Sequence, residues 1–154
     1  MRKSILAVSL AAVALTSLLA SAAYAQFAKP EDAIRYRQSG YVIMGNHMGR
    51  IFNELKKPSP DVAAIQRSAA IIDFVSQLPG EGYVPGSDKG GNPPTRAKPE
   101  ILTDPKVREV GRAMRQEVTK LVEVSKGGDV AAIRTQFQAT AKSCDSCHDN
   151  YRNK

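Results

Sequence analysis

Apolar residues recur at the spacing of an α-helix in four segments of this 154-residue chain. The segments cover about residues 30–57, 59–78, 104–127 and 129–148, and none shows the alternation that is typical of strands. Prolines and glycines, which end helices, separate them. The pattern predicts an all-α fold, an antiparallel up-and-down four-helix bundle.

The expected helix starts carry residues that stabilise a first turn. Pro30 suits a first helical position, Asp104 with Pro105 forms a cap followed by proline, and Asp129 caps the last segment. Between the second and third segments, residues 79–103 are rich in glycine and proline and lack a sustained apolar period. A connection of this length is usually functional or disordered.

The fourth segment ends in Cys144-Asp145-Ser146-Cys147-His148, which contains both cysteines of the chain. Cys-x-x-Cys-His is the pattern for attachment of c-type haem. Its two thiols add to the porphyrin vinyl groups, and its imidazole coordinates the iron. On a helix, Cys144 and His148 share a face, and Cys147 is near enough to reach the second vinyl. The motif predicts one covalent haem c, with Cys144 and Cys147 as tethers and His148 as axial iron ligand.

Other uses of a Cys-x-x-Cys pair fit this chain less well. A redox dithiol usually opens a helix after a strand, and no β-α-β pattern surrounds the pair. A zinc site would need a second Cys/His pair to complete four ligands. A structural disulfide stays open as an alternative.

The first residues predict export. A positively charged start precedes an apolar run over residues 5–19, and small residues stand at Ala23 and Ala25. This pattern indicates a cleaved secretory signal peptide, residues 1–25, ahead of a mature domain, residues 26–154. A membrane anchor is the competing interpretation, but the run is short for a span and no positive stop follows it. We therefore expect a periplasmic protein whose mature form has no membrane anchor.

The charge of the chain limits its partners. Loss of Arg2 and Lys3 with the signal peptide would lower the formal net charge from +7 to +5. No basic run with interleaved aromatic residues is present, so nucleic acid is not an expected partner. A positive surface is suited to steering an acidic redox partner protein, whose identity the sequence does not give.

Several stretches resemble cytochrome c′, the high-spin class II c-type cytochromes, over essentially the whole mature chain. The family carries its haem motif near the C-terminus, unlike ordinary small c-type cytochromes, and is itself a standard example of the four-helix bundle. Besides the motif, the matching stretches are Gln26-Phe27-Ala28-Lys29-Pro30-Glu31-Asp32-Ala33, Tyr36-Arg37-Gln38-Ser39-Gly40-Tyr41, Met44-Gly45-Asn46-His47-Met48-Gly49-Arg50, Pro85-Gly86-Ser87, Lys98-Pro99-Glu100 and Tyr151-Arg152.

The resemblance implies a five-coordinate haem in which His148 is the only protein ligand of the iron. Tyr41 on the first helix would close the opposite, distal face. Arg37 and Gln38 match positions at the haem edge, where Arg37 can pair with a propionate.

Further positions follow from the same resemblance. Thr95 and Arg96 match a loop region that approaches the haem, and Arg152 matches a basic residue beside the proximal histidine. Arg152 also lies four residues after His148, which would place both on one helical face. Family members are often homodimers through helices one and two.

We expect electron transfer together with binding of nitric oxide or carbon monoxide at the open distal position. No acid–base constellation supports an enzyme. The alternative is a six-coordinate, low-spin electron carrier with Met44 as second axial ligand, because axial ligand identity separates these functions. Met44 shares a stripe with Tyr41 and Met48, and such stripes are commonly core packing. His47, rotated by about 240° from Tyr41, is expected at the surface or an interface.

Overall fold

The structure is a computed structural model that describes residues 26–154. The predicted signal peptide, residues 1–25, lies outside the described residues. The described part contains four helices, which are α1 Pro30–Leu55, α2 Val62–Ser76, α3 Lys106–Lys126 and α4 Val130–Tyr151. Two short 3-10 turns, Pro79–Gly82 and Pro99–Leu102, lie in the long connection between α2 and α3.

Helices that follow one another in the chain pack as neighbours, and each runs antiparallel to the one before. Thr119 Oγ1 on α3 donates a hydrogen bond to the Asp73 carboxylate on α2, at 2.7 Å. Gln136 Nε2 on α4 donates to the backbone oxygen of Glu117 on α3, at 3.1 Å. The predicted all-α, up-and-down four-helix bundle is confirmed.

The helix starts follow the capping residues. Asp61 Oδ1 accepts from the backbone N–H of Ala64 at 3.0 Å, and Asp129 Oδ1 accepts from that of Ala131 at 2.9 Å. Asp104 Oδ1 accepts from the N–H of Lys106, at 2.9 Å, so α3 starts after Pro105 rather than at it. None of the helices described over residues 26–154 is long and apolar enough to cross a bilayer.

The apolar core fills one half of the bundle, next to the α1–α2 and α3–α4 turns. In the other half, no residue of 106–117 on α3 and none of 141–150 on α4 is buried. Burying an aliphatic side chain stabilises by about 1.5–3 kcal/mol, so this stabilisation is concentrated in the first half. Its buried members are Met44, Ile51, Leu55, Ile65, Ala69, Ile72, Val75, Val118, Leu121 and Ile133.

The long connection packs along the N-terminal half of α1. Ser87 is fully buried, its Oγ donates to the backbone oxygen of Gly82 at 3.2 Å, and it accepts from the N–H of Val84 at 3.2 Å. A Cβ on Gly82 would lie 2.6 Å from the backbone oxygen of Ala33, so only glycine fits this approach. The connection is therefore an ordered, docked segment.

Candidate haem-binding site

The motif residues lie in the last two turns of α4. Cys144 and Cys147 are free thiols and both are half-buried. Burial raises the pKa of each thiol, and the Asp145 carboxylate adds to the effect at Cys144. Both thiols are therefore protonated at neutral pH. Two neighbouring free thiols are the donor set that addition to two vinyl groups needs, so these residues fit a covalent haem.

The imidazole of His148 is suited to binding a metal. Burial lowers the pKa of its ring, and the positive charges of Arg152 and Arg96 lower it further, while Asp145 opposes them. The ring is therefore neutral at neutral pH, which leaves a nitrogen lone pair free for coordination.

Tyr41 on α1 faces the motif. Desolvation is the main reason why the pKa of its hydroxyl lies well above the usual value, and the Cys147 thiol contributes to the rise. The side chain keeps 37 % of its surface exposed. Helices α1 and α4 approach each other at few points, although each packs closely on its other neighbour.

Tyr83, from the loop after the first 3-10 turn, completes this side of the site. Its hydroxyl oxygen lies 3.0 Å from that of Tyr41, and the Arg37 guanidinium carbon stands 4.6 Å from the centre of its ring. Tyr83 is not among the residues predicted from the sequence, because the loop has no periodic pattern. Its only signal is an aromatic residue in a stretch rich in glycine and proline.

Arg37 is 2 % exposed and holds the loop against α1. Its Nη1 donates to the backbone oxygen of Gly82 at 2.6 Å, and its Nη2 donates to Thr95 Oγ1 at 2.8 Å and to the backbone oxygen of Ser87. It forms no ion pair within residues 26–154. The guanidinium retains N–H groups for a further acceptor, so it fits a propionate while also fastening the loop.

Gln38 contacts the same loop, where its Nε2 donates to the backbone oxygen of Pro93 at 3.2 Å.

The side chains of Met44 and His47 do not face the Cys-x-x-Cys-His motif. Met44 is 6 % exposed within the apolar core. His47 is half-buried, with its Nδ1 3.2 Å from Ser68 Oγ on α2, which agrees with an interface histidine.

The N–H of Arg152 donates to the backbone oxygen of His148 at 3.1 Å and closes the last turn of α4. The helix ends at Tyr151, and Arg152 has extended backbone that forms an isolated antiparallel bridge with Ala97. Arg96 also binds this C-terminal segment, because its Nε donates to the backbone oxygen of Asn153 at 3.0 Å. Arg152 and Arg96 both lower the pKa of His148.

The structure therefore forms two groups around the motif. Arg37, Tyr41, Tyr83 and Thr95 lie on the α1 and loop side, whereas Arg96 and Arg152 lie on the side of His148. Two shallow surface grooves, along α3 and between α2 and α3, contain no cysteine or histidine and play no part in the site.

Comparison with known proteins identifies the family of this chain. The family model described as Cytochrome C' matches residues 32–152. Cytochrome c′ of Alcaligenes xylosoxydans xylosoxydans is 36% identical over 131 residues, which cover 84% of this chain and 99% of that protein.

Comparison with solved structures indicates the same family. A cytochrome c′ with an unusual ligand-controlled dimer dissociation has a TM-score of 0.78 at 33% identity, over 83% of this chain and 99% of that one. The nitric oxide complex of a cytochrome c′ variant from Alcaligenes xylosoxidans has a TM-score of 0.75 at 35% identity, over 84% and 99%. With its two cysteines in a Cys-x-x-Cys-His motif, this chain belongs to the cytochrome c′ family, whose cofactor is covalently attached haem c.

Proposed function

We propose that the mature protein is a periplasmic haem c protein with five-coordinate iron, which transfers single electrons and binds nitric oxide or carbon monoxide at the open position. One observation carries the proposal. The side chains that face the motif from α1 and the loop are the phenols Tyr41 and Tyr83, while Met44 belongs to the apolar core and His47 turns to α2. None of the described residues on that side is a methionine or histidine aimed at the motif.

The residues proposed to hold the haem have separate tasks. Cys144 and Cys147 tether the porphyrin through their sulfur atoms, and His148 gives one imidazole nitrogen to the iron. Arg37 offers its remaining N–H groups to a propionate. When bound, haem supplies an iron centre that changes oxidation state by one electron and can take up a diatomic ligand.

The neighbouring side chains set the conditions for that chemistry. Arg96 and Arg152 disfavour a proton on His148, so its ring stays available to the metal. Gln38 and Thr95 keep the loop beside α1 through their hydrogen bonds. Tyr41 covers the distal face, so large ligands are excluded while diatomic molecules can enter by displacing it. No described cluster of acid and base groups supports catalytic turnover, and we propose a carrier and gas-binding role rather than an enzyme.

Spectroscopy of the purified protein tests the coordination state. We expect absorption and EPR spectra of high-spin, five-coordinate haem, with a shift when nitric oxide is added. The alternative, six-coordinate iron with Met44, predicts a methionine-to-iron charge-transfer band that disappears in Met44→Ala. The matched control is Met48→Ala, on the same helix. A band that Met44→Ala removes and Met48→Ala keeps would overturn the five-coordinate proposal.

Export is part of the proposal and has its own test. The signal-like pattern of residues 1–25 supports cleavage after Ala25. N-terminal sequencing of protein from the periplasmic fraction should begin at Gln26. Recovery of the uncleaved chain in the membrane fraction would support the anchor interpretation instead.

We also propose a homodimer through α1 and α2. Both helices expose large apolar side chains, namely Val42, Ile43, Phe52, Ile71 and Phe74. Exposed apolar patches commonly mark association surfaces, and a solved relative is described as a dimer with ligand-controlled dissociation. Sedimentation of Phe74→Glu should give monomers, whereas the control Ala113→Glu, exposed on α3, should keep the mass of the wild type. Equal masses for wild type and Phe74→Glu would contradict this interface.

A further inference from the structure

Tyr83 and Tyr41 form an isolated phenol pair beside the motif. Their hydroxyl oxygens lie 3.0 Å apart, and either can donate to the other. Within residues 26–154, neither hydroxyl makes a second hydrogen bond. A phenol has one O–H hydrogen, so one hydroxyl donates within the pair and the proton of the other stays free for a third group. The Cys147 thiol influences the pKa of both phenols, which is consistent with a pair next to the attachment residues.

Two contacts fix Tyr83 in this position. The guanidinium of Arg37 stacks on its ring at 4.6 Å, a geometry in which cation and ring attract each other. The preceding residue, Gly82, is docked on α1 so closely that a Cβ there would lie 3.0 Å from the Cβ of Arg37. Arg37 also donates to the backbone oxygen of Gly82 at 2.6 Å. Tyr83 is therefore held against α1 by contacts that do not depend on Tyr41.

We infer that Tyr83 is a positioning residue for the distal face, which latches Tyr41 in its covering position through the hydrogen bond between the two hydroxyls. This inference rests on the proposed function, in which a diatomic ligand enters by displacing Tyr41. Such a ligand has to break the Tyr41–Tyr83 hydrogen bond first. The latch thus slows the entry of carbon monoxide or nitric oxide, and Arg37 supports it by holding Tyr83 in place.

Carbon monoxide association with the ferrous haem protein, followed by stopped-flow absorption, tests the latch. One neutral hydrogen bond corresponds to about a 2- to 10-fold change in rate. We expect Tyr83→Phe and Tyr41→Phe each to accelerate association by about this factor. The double variant should be no faster than the faster single variant, because both substitutions remove the same bond. The control is Tyr36→Phe, which removes the hydroxyl that donates to Glu81 at 2.9 Å and should leave the rate unchanged.

A second measurement tests the hydrogen bond between the two hydroxyls without a diatomic ligand. Ultraviolet resonance Raman bands of tyrosine report hydrogen bonding of the hydroxyl, and in the unliganded ferrous protein Tyr83→Phe should shift the signal of Tyr41. Two results would overturn the latch. One is a double variant whose carbon monoxide association is accelerated by the product of the two single-variant factors. The other is a Tyr83→Phe protein that binds carbon monoxide at the wild-type rate. If Tyr83→Phe fails to fold by circular dichroism, Tyr41→Phe breaks the bond from the helix side, and an unchanged rate there overturns it equally.

Failure of the latch and failure of the proposed function give different results. A six-coordinate, low-spin spectrum of the wild type would contradict the proposed function itself. A five-coordinate spectrum with equal association rates in the wild type and in all tyrosine variants would contradict only the role of Tyr83.

Discussion

Near the α1–α2 and α3–α4 turns, aliphatic side chains from all four helices close on one another, whereas beside the Cys-x-x-Cys-His motif the buried set is smaller and mixes apolar residues such as Ile34 with the polar Arg37 and Ser87. Ile51, Ile72, Leu121 and Ile133 belong to the first half, which we call the packed half. In the second, the motif half, the Arg37 guanidinium is buried against loop carbonyls. Helical periodicity is enough to build the packed half. The motif half depends on a docked loop and, in the proposed function, on a cofactor.

Removing the tethers is expected to have the largest effect. Cys144→Ser combined with Cys147→Ser should abolish covalent haem and leave a large void between α1 and α4, with a loss of about 5 kcal/mol in the free energy of unfolding. Thermal melting followed by circular dichroism measures it. The control Ser146→Ala, exposed in the same motif, should melt within a few degrees of the wild type. A native-like melt of the haem-free double variant would contradict the division into two halves.

A cavity in the packed half should act on stability alone. Leu121 is fully buried, so Leu121→Ala should lower the free energy of unfolding by about 2–5 kcal/mol. The haem spectrum of the folded variant should match that of the wild type, because this side chain lies away from the motif. Lys120→Ala, the exposed neighbour, serves as control. A change of spin state in Leu121→Ala would show that the halves are coupled.

Arg37→Met should loosen the loop. The substitution leaves the buried backbone oxygen of Ser87 without its donor and that of Gly82 with only Ser87 Oγ, at a cost of about 1–3 kcal/mol. Hydrogen exchange should lose protection over residues 82–95 while the packed half keeps it. The control is Arg35→Met, an exposed arginine of the same helix. Equal protection of the loop in both variants would refute the role of Arg37 as its anchor.

The smallest expected difference between the two halves is in how their stability responds to acid. The backbone N–H of Lys106 and the Tyr151 hydroxyl hold the pKa of Asp104 below its usual value of 3.8. In the packed half, the Lys57 ammonium and the N–H of Asp61 hold the pKa of Glu54 below 4.5. A lowered folded-state pKa means that each contribution to stability is present above the ordinary value and is lost as pH falls through the folded-state value.

The comparison is made by denaturant unfolding across this acidic range at low and high salt. Asp104→Asn and Glu54→Gln should each flatten the pH dependence of the free energy of unfolding. Salt should weaken the Glu54 contribution more, because it includes an exposed ion pair with Lys57, at 2.6 Å. Equal salt sensitivity of the two residues would count against this assignment.

Local patterns in the sequence predict the helices, their capping residues and the apolar core. Asp129 caps the last helix as expected, and the period of the apolar residues located the packed half. The Cys-x-x-Cys-His spacing predicts the attachment residues, because its chemistry needs only one helix.

Residues whose positions depend on tertiary contacts were harder to predict. Arg152 forms a bridge with Ala97 of the loop, a contact that no local pattern encodes. Tyr83 reaches Tyr41 only because Gly82 docks on α1, and the sequence of an aperiodic loop does not indicate its partner.

The absence of buried residues over 141–150 also bears on how the protein matures. Segments with few buried apolar contacts open at low free-energy cost, whereas a packed core opens only with global unfolding. A newly made chain can therefore assemble the packed half first and present the thiols of Cys144 and Cys147 on a helix end that is still accessible. Attachment of the cofactor would then be the step that completes folding.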